Sequence, residues 1–130
     1  MTLPVLDQLY LADRQIPYEV MMDGGMVCVI FPGWSLPTGL SVTQADVLLR
    51  LAAGYPDIPP DMWWTDPEVL RADRTVIPAT EVREPYFGRT WQRWSRHFQA
   101  GQWQSGIDGL ESYLALMRAE FVLAGSGCAA

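Results

Sequence analysis

The chain contains no lysine, no asparagine and a single histidine, His97, and it has only two cysteines, Cys28 and Cys128. One histidine and two scattered thiols match no zinc-ligand spacing, so no metal is expected. Two cysteines do not build a disulfide framework either. No apolar run approaches the ~20 residues of a membrane span, so no membrane association is expected. Met1 to Pro4 shows no basic region ahead of an apolar stretch, so no signal peptide is visible and a cytoplasmic location is expected. Cations are scarce: nine basic residues, all arginine, face fifteen acidic ones, for a net charge of −6. Phosphate backbones require clustered cations, which argues against nucleic acid as a partner. Charged residues make up 18% of the chain and hydrophobic residues 49%, a balance that favours a folded core over disorder.

With 130 residues, one domain is expected, spanning 1–124, followed by a tail of small residues over 125–130. Thr2 to Arg14 reads as a helix with Val5, Leu6, Leu9, Tyr10 and Ala12 as its apolar stripe, stopped by Pro17. Tyr18 to Met22 and Met26 to Phe31 read as strands around Asp23-Gly24-Gly25, a strong hairpin signal. Val47 to Leu51 is a third strand by its position. Gly54 to Pro60 carries three prolines, which cannot donate to a ladder and mark an ordered crossing. Met62 to Thr65 is a short aromatic strand. Asp66 to Arg89, with three prolines and mixed charge, reads as a long surface loop. Trp91 to Phe98 is aromatic and basic, and Gly101 breaks it. Ile107, Leu110, Leu114, Met117 and Phe121 then recur as one face of a long helix from Ile107 to Leu123, with Ser105 and Asp108 suited to its N-terminus. The predicted class is α+β: a four-stranded antiparallel meander flanked by an N-terminal and a C-terminal helix.

Tyr55-Pro56-x-x-Pro59-Pro60 before Trp64-Thr65, and Trp103-x-Ser105 at a helix start, resemble motifs of the ubiquitin-conjugating (E2) fold. The second departs from the usual Trp-Ser-Pro, since Gln104 intervenes and the proline is absent. Pro17-Tyr18-Glu19-Val20, Gly54-Tyr55-Pro56-Asp57, Pro60-Asp61-Met62 and the run Gly88 to Phe98 resemble prokaryotic E2 family E more closely, from about Val5 to Phe121. The resemblance implies an acyl carrier in a bacterial conjugation pathway, with an E1-like adenylating enzyme and a ubiquitin-like protein as partners and no cofactor. It also implies that the N-terminal helix, with Asp7, Gln8, Asp13 and Arg14 on its polar face, meets the E1. The missing lysines then have two explanations, codon bias in a GC-rich genome or avoidance of self-modification by an acyl group destined for lysine.

An E2 nucleophile is ordinarily a cysteine about eight residues before the motif's tryptophan. Eight residues before Trp103 stands Ser95. Cys28 belongs to the second strand, on the face opposite Val27 and Val29, as a buried structural thiol, and Cys128 lies in the tail. The resemblance therefore points to Ser95 as an oxyester-forming nucleophile. A hydroxyl requires a base. His97, two residues on, shares its side of an extended segment and is the candidate. The usual E2 asparagine is missing, which leaves Arg89, Thr90, Gln92 and Arg96 as candidate donors to a developing oxyanion. Trp91 and Trp94 read as packing. The competing reading is a non-catalytic E2-like scaffold that binds an E1-like enzyme or a ubiquitin-like protein, with Ser95 merely solvating a loop. An unrelated α+β binding domain stands as a third.

Overall fold

Two helices and six strands organise the described residues, 3–99 and 101–127, of a computed structural model. The order is α1 (Val5–Asp13), β1 (Glu19–Asp23), β2 (Met26–Ser35), β3 (Gln44–Leu51), β4 (Trp63–Asp66), β5 (Arg83–Tyr86), β6 (Arg89–Trp94) and α2 (Leu110–Gly125). The strands form one antiparallel sheet in the order β1-β2-β3-β4-β6-β5. Cys128 and the end of the expected tail lie outside the described residues.

The first four strands follow the predicted meander. Gly24 and Gly25 both take positive φ (56° and 81°), the conformation that lets a two-residue turn match the strand twist. The stretch expected as a loop from Asp66 to Arg89 is not all loop. It returns as β5, turns tightly through Phe87 and Gly88, and leads into β6, so the sheet has six strands rather than four. Pro85 disguised β5. An edge strand tolerates a proline, because one of its sides has no ladder to lose.

Strand alternation divides the side chains between two faces. The inner face carries Val29, Phe31, Val47, Leu49, Leu51, Trp63 and Trp94 into the main core, where α2 contributes Leu110, Tyr113, Leu114, Met117 and Phe121. Trp63 and Trp94 stack at 5.9 Å, and the edge of Phe121 meets both rings. Such pairs contribute roughly 0.5–1.5 kcal/mol each beyond the area they bury. The outer face holds a second cluster of Cys28, Ile30, Leu48, Trp64 and Trp91. Cys28 is fully buried there, and burial pushes its thiol up from the ordinary value.

Both helices correct the reading from periodicity. α2 starts at Leu110, so Ile107 precedes it and is 76% exposed, while Leu110, Leu114, Met117 and Phe121 are buried as expected. α1 turns its apparent stripe outward: Val5, Leu6 and Leu9 are exposed, and Asp7 and Leu11 are the buried positions. Asp7 is therefore not on a solvated face. Its carboxylate accepts the Tyr55 hydroxyl at 2.6 Å and the backbone N–H of Leu110 at 3.0 Å. It thus caps α2 from another helix, a role in which negative charge is also favoured by the helix dipole. Gly109 is required beside it, since a Cβ there would lie 2.8 Å from Asp7 Oδ1. Burial, then the Asp7 carboxylate, drive the Tyr55 phenol far above its usual range, so it remains a donor. Ser105 and Asp108 do not cap α2. Ser105 bonds to Asp57, and Asp108 accepts the N–H of Gln104 at 2.7 Å.

Leu114→Ala is expected to cost about 2–5 kcal/mol in denaturant unfolding, and a loss under roughly half a kcal/mol would contradict the packing. Asp7→Ala orphans a buried N–H and a phenol, with an expected loss of about 1–3 kcal/mol. Asp7→Asn, which keeps an acceptor, should lose less. Equal stability of the alanine variant and the parent would show that the cap carries no weight.

Candidate active site

The sheet's outer face presents Arg89, Trp91 and Arg93 in alternation along β6, and Ser95 follows in the next residue of the same parity. Ser95 is half-buried. Its N–H donates to Ala79 O at 3.0 Å, tying the end of β6 to the segment before β5. Its hydroxyl makes no hydrogen bond among the described residues. The chain then runs on through Arg96, whose carbonyl accepts the N–H of Met62 at 3.3 Å. That contact lies one residue out of the register in which Trp63 pairs with Trp94, just past the ladder, where the chain beyond β6 meets the segment before β4.

There Asp61 Oδ1 lies 2.6 Å from His97 Nδ1. Both side chains are exposed. A carboxylate only accepts, so Nδ1 carries the shared proton; in the neutral ring the lone pair is then on Nε2. Beneath them the Tyr113 hydroxyl, on α2, donates to Met62 O at 2.9 Å and supports the strand end from the core side. No hydrogen bond joins Ser95 to His97 among the described residues. The Arg96 N–H bonds back to Trp94 O at 3.1 Å, so the chain turns at Ser95, and the hydroxyl and the oriented imidazole stand two residues apart on that turn beyond β6.

The four expected oxyanion donors separate. Arg89 sits at the opposite end of β6, six residues from Ser95 and so roughly 20 Å away along a strand. Its guanidinium bridges Asp46 and Asp66 at 2.7 and 2.8 Å and covers the Trp91 ring. Thr90 is exposed at that same distant end, paired with Pro85. Gln92 faces inward and is fully engaged. Its Oε1 accepts the Thr65 hydroxyl at 2.8 Å and the N–H of Val69 at 2.7 Å, and its Nε2 donates to Val69 O at 3.0 Å. Thr65, from the family-like motif, thereby belongs to a buried network that Trp94 Nε1 also enters at 3.2 Å. Only Arg96 touches the candidate nucleophile's residue: Nη1 donates to Ser95 O at 3.2 Å, and Nε pairs with Glu120 of α2 at 2.8 Å. Its buried Nη2 finds no partner among the described residues.

Sequence reasoning missed Asp61. Residues 61 and 97 are distant in the chain, and only the pairing of β4 with β6, with the slip in register just beyond it, brings them together. In the sequence, Asp61-Met62 carries only a family resemblance. The two motifs that resemble E2 enzymes also meet each other. Trp103 Nε1 donates to Pro56 O at 2.8 Å, and Ser105 reaches Asp57. Phe98 packs against Trp103 and Tyr113, closing the turn that follows His97. Among the described residues, no helix is long and apolar enough to cross a membrane.

A curled antiparallel sheet with one helix across its inner face and another capping that helix, joined through a Tyr-Pro-x-x-Pro-Pro crossing, is compatible with an E2-like α+β domain. The profile of prokaryotic E2 family E matches residues 3–124, and the chain belongs to that family. No curated protein and no solved structure matches the chain.

The Arg89 bridge makes one pH prediction. Burial works against ionisation of Asp46, but the Gly33 N–H (2.8 Å) and the Arg89 guanidinium outweigh it and hold the carboxyl below the usual range. A depressed folded-state pKa contributes stability that is fully present above the unfolded value, about pH 3.9. That stability is lost as pH falls through the lower folded value. Asp46→Asn should therefore flatten the decline of stability below about pH 4, measured by denaturant unfolding across pH. An unchanged slope would remove Asp46 from the acid response.

Proposed function

We propose that this chain is an acyl carrier of a bacterial ubiquitin-like conjugation pathway, accepting a ubiquitin-like C-terminus from an E1-like adenylating enzyme as an oxyester on Ser95. Family membership supports the pathway. The observation that carries the site is the Ser95 hydroxyl at the end of β6, without a hydrogen bond among the described residues, two residues before an imidazole already oriented by Asp61. In the step proposed, Ser95 Oγ attacks the thioester carbonyl carbon carried by the E1. The hydroxyl proton passes to His97 Nε2, the C–S bond breaks, and the departing thiolate takes up the proton. Arg96, paired with Glu120 and bonded to the Ser95 carbonyl, holds the segment. Arg89, Thr90 and Gln92 serve the frame.

The exposed Val5, Leu6 and Leu9 of α1 suit the E1-like partner and stay available whether or not Ser95 reacts. That apolar face favours one second reading, a non-catalytic scaffold that binds the E1-like enzyme or the ubiquitin-like protein.

With an E1-like enzyme, ATP and the ubiquitin-like protein, a covalent adduct is expected that survives mild thiol reductant and yields to strong base or hydroxylamine. Ser95→Ala should abolish it, and Cys28→Ala and Cys128→Ala should retain it. His97→Ala should slow it by ~10²–10⁴-fold. Ser95→Cys should give a reductant-sensitive adduct. An adduct on Ser95→Ala sinks the assignment, and no adduct with active partners leaves the scaffold.

A further inference from the structure

We propose that Asp61 is the positioning residue of the Ser95–His97 site, an inference that rests on the acyl-carrier reading above. Three observations carry it. The 2.6 Å contact joins Asp61 Oδ1 to Nδ1 of His97, the nitrogen whose protonation leaves Nε2 as the acceptor. Asp61 follows Pro60, at the end of a crossing whose prolines restrict the backbone, so the carboxylate is presented from a stiff segment. Its neighbour Met62 is held from both sides, its N–H by Arg96 O and its carbonyl by the Tyr113 hydroxyl. The geometry is that of an orienting carboxylate behind a base, in which the acid fixes the tautomer and steadies the imidazolium that forms.

The surroundings leave Asp61 free to do this. Asp61 borders an outer-face groove of about 360 Å³ whose charged lining residues are Arg50, Glu84 and Arg93. Each of these has another partner: Arg50 pairs with Asp23 at 2.7 Å, and Arg93 lies 3.7 Å from Glu84, which accepts Trp64 Nε1. From α2, the group facing Asp61 is Tyr113, whose phenol is driven up by burial and then by Asp61 itself. It therefore stays a neutral donor. No cation among these neighbours takes the Asp61 carboxylate away from the imidazole.

The function of the pair is testable without the conjugation partners, using p-nitrophenyl acetate. Ser95 Oγ attacks the acetyl carbon, its proton passes to His97 Nε2, and the C–O bond breaks to release p-nitrophenolate and leave an acetyl ester on Ser95. Because His97 is the only histidine in the chain, its ring ¹⁵N shifts report the tautomer without ambiguity. The wild-type protein at pH 8 should show the Nδ1–H form and be acetylated at Ser95 by mass spectrometry. Asp61→Asn keeps the size and should shift the ring toward Nε2–H. It should slow acetylation roughly 10- to 100-fold, part of the ~10²–10⁴-fold that a general base supplies. Asp61→Glu should restore part of both readouts. In a His97→Ala background, Asp61→Asn should have no further effect, since the two residues act as a unit. An Nε2–H ring in the wild type overturns the inference, and so does an Asp61→Asn variant in which the tautomer or the rate changes alone or neither changes. If wild-type Ser95 is not acetylated, the acyl-carrier reading fails at its nucleophile and this inference falls with it. Acetylation that is indifferent to Asp61 removes the inference alone.

Discussion

One buried carboxylate holds the architecture in register. Asp7 belongs to α1, accepts a hydrogen bond from Tyr55 in the proline crossing, and caps the first turn of α2. Three elements far apart in sequence thus share a single acceptor group. The family-like motifs gather around this point. Trp103 binds the carbonyl of Pro56, Ser105 binds Asp57, and Gly109 has no side chain because Asp7 needs the space. These residues resemble those of conjugating enzymes because they join the crossing to the second helix. Their chemistry is structural, and the candidate reactive groups lie elsewhere, where β6 runs out.

Much of this was legible from pattern. The Asp23-Gly24-Gly25 turn, the short apolar strands and the α2 face from Leu110 to Phe121 each carry a strong periodic or conformational signal that the structure follows, Ile107 alone of that face falling outside the helix. Three features were not legible, for physical reasons. β5 contains a proline that only an edge position tolerates, and edge or interior cannot be told without the pairing. α1 has its apolar residues on one side and a carboxylate among the others. Periodicity assigns the apolar side to the core, whereas the hydrogen bonds to Asp7 turn the side of Asp7 and Leu11 inward and leave Val5, Leu6 and Leu9 exposed. At the site, the family resemblance offered Ser95 and His97 as candidates, but donor chemistry alone could not sort Arg89, Thr90, Gln92 and Arg96. Strand parity sends Gln92 inward, length carries Arg89 and Thr90 to the far end, and register brings in Asp61.

The absence of lysine has a structural counterpart. Arg89 bridges two aspartates and covers Trp91, Arg50 pairs with Asp23 while lying 4.1 Å over the Tyr86 ring, and Arg96 serves Glu120, the Ser95 carbonyl and the Trp94 face together. A planar guanidinium makes forked and stacked contacts at once, and a compact ammonium does not. The arginines are thus part of the outer sheet and of the strand end, whatever process removed the lysines.

The place of β6 between β4 and β5 has a mechanical meaning. Ser95 leaves the C-terminal end of a strand that is laddered along both edges. Antiparallel ladder bonds lie perpendicular to the strands. Tension applied at Ser95 along the strand axis therefore loads both ladders in shear, where several bonds must yield together, instead of peeling them one at a time. A strand on the rim of the sheet would share that load with only one neighbour. The interior position makes the end of β6 the better anchored place to bear a tethered mass.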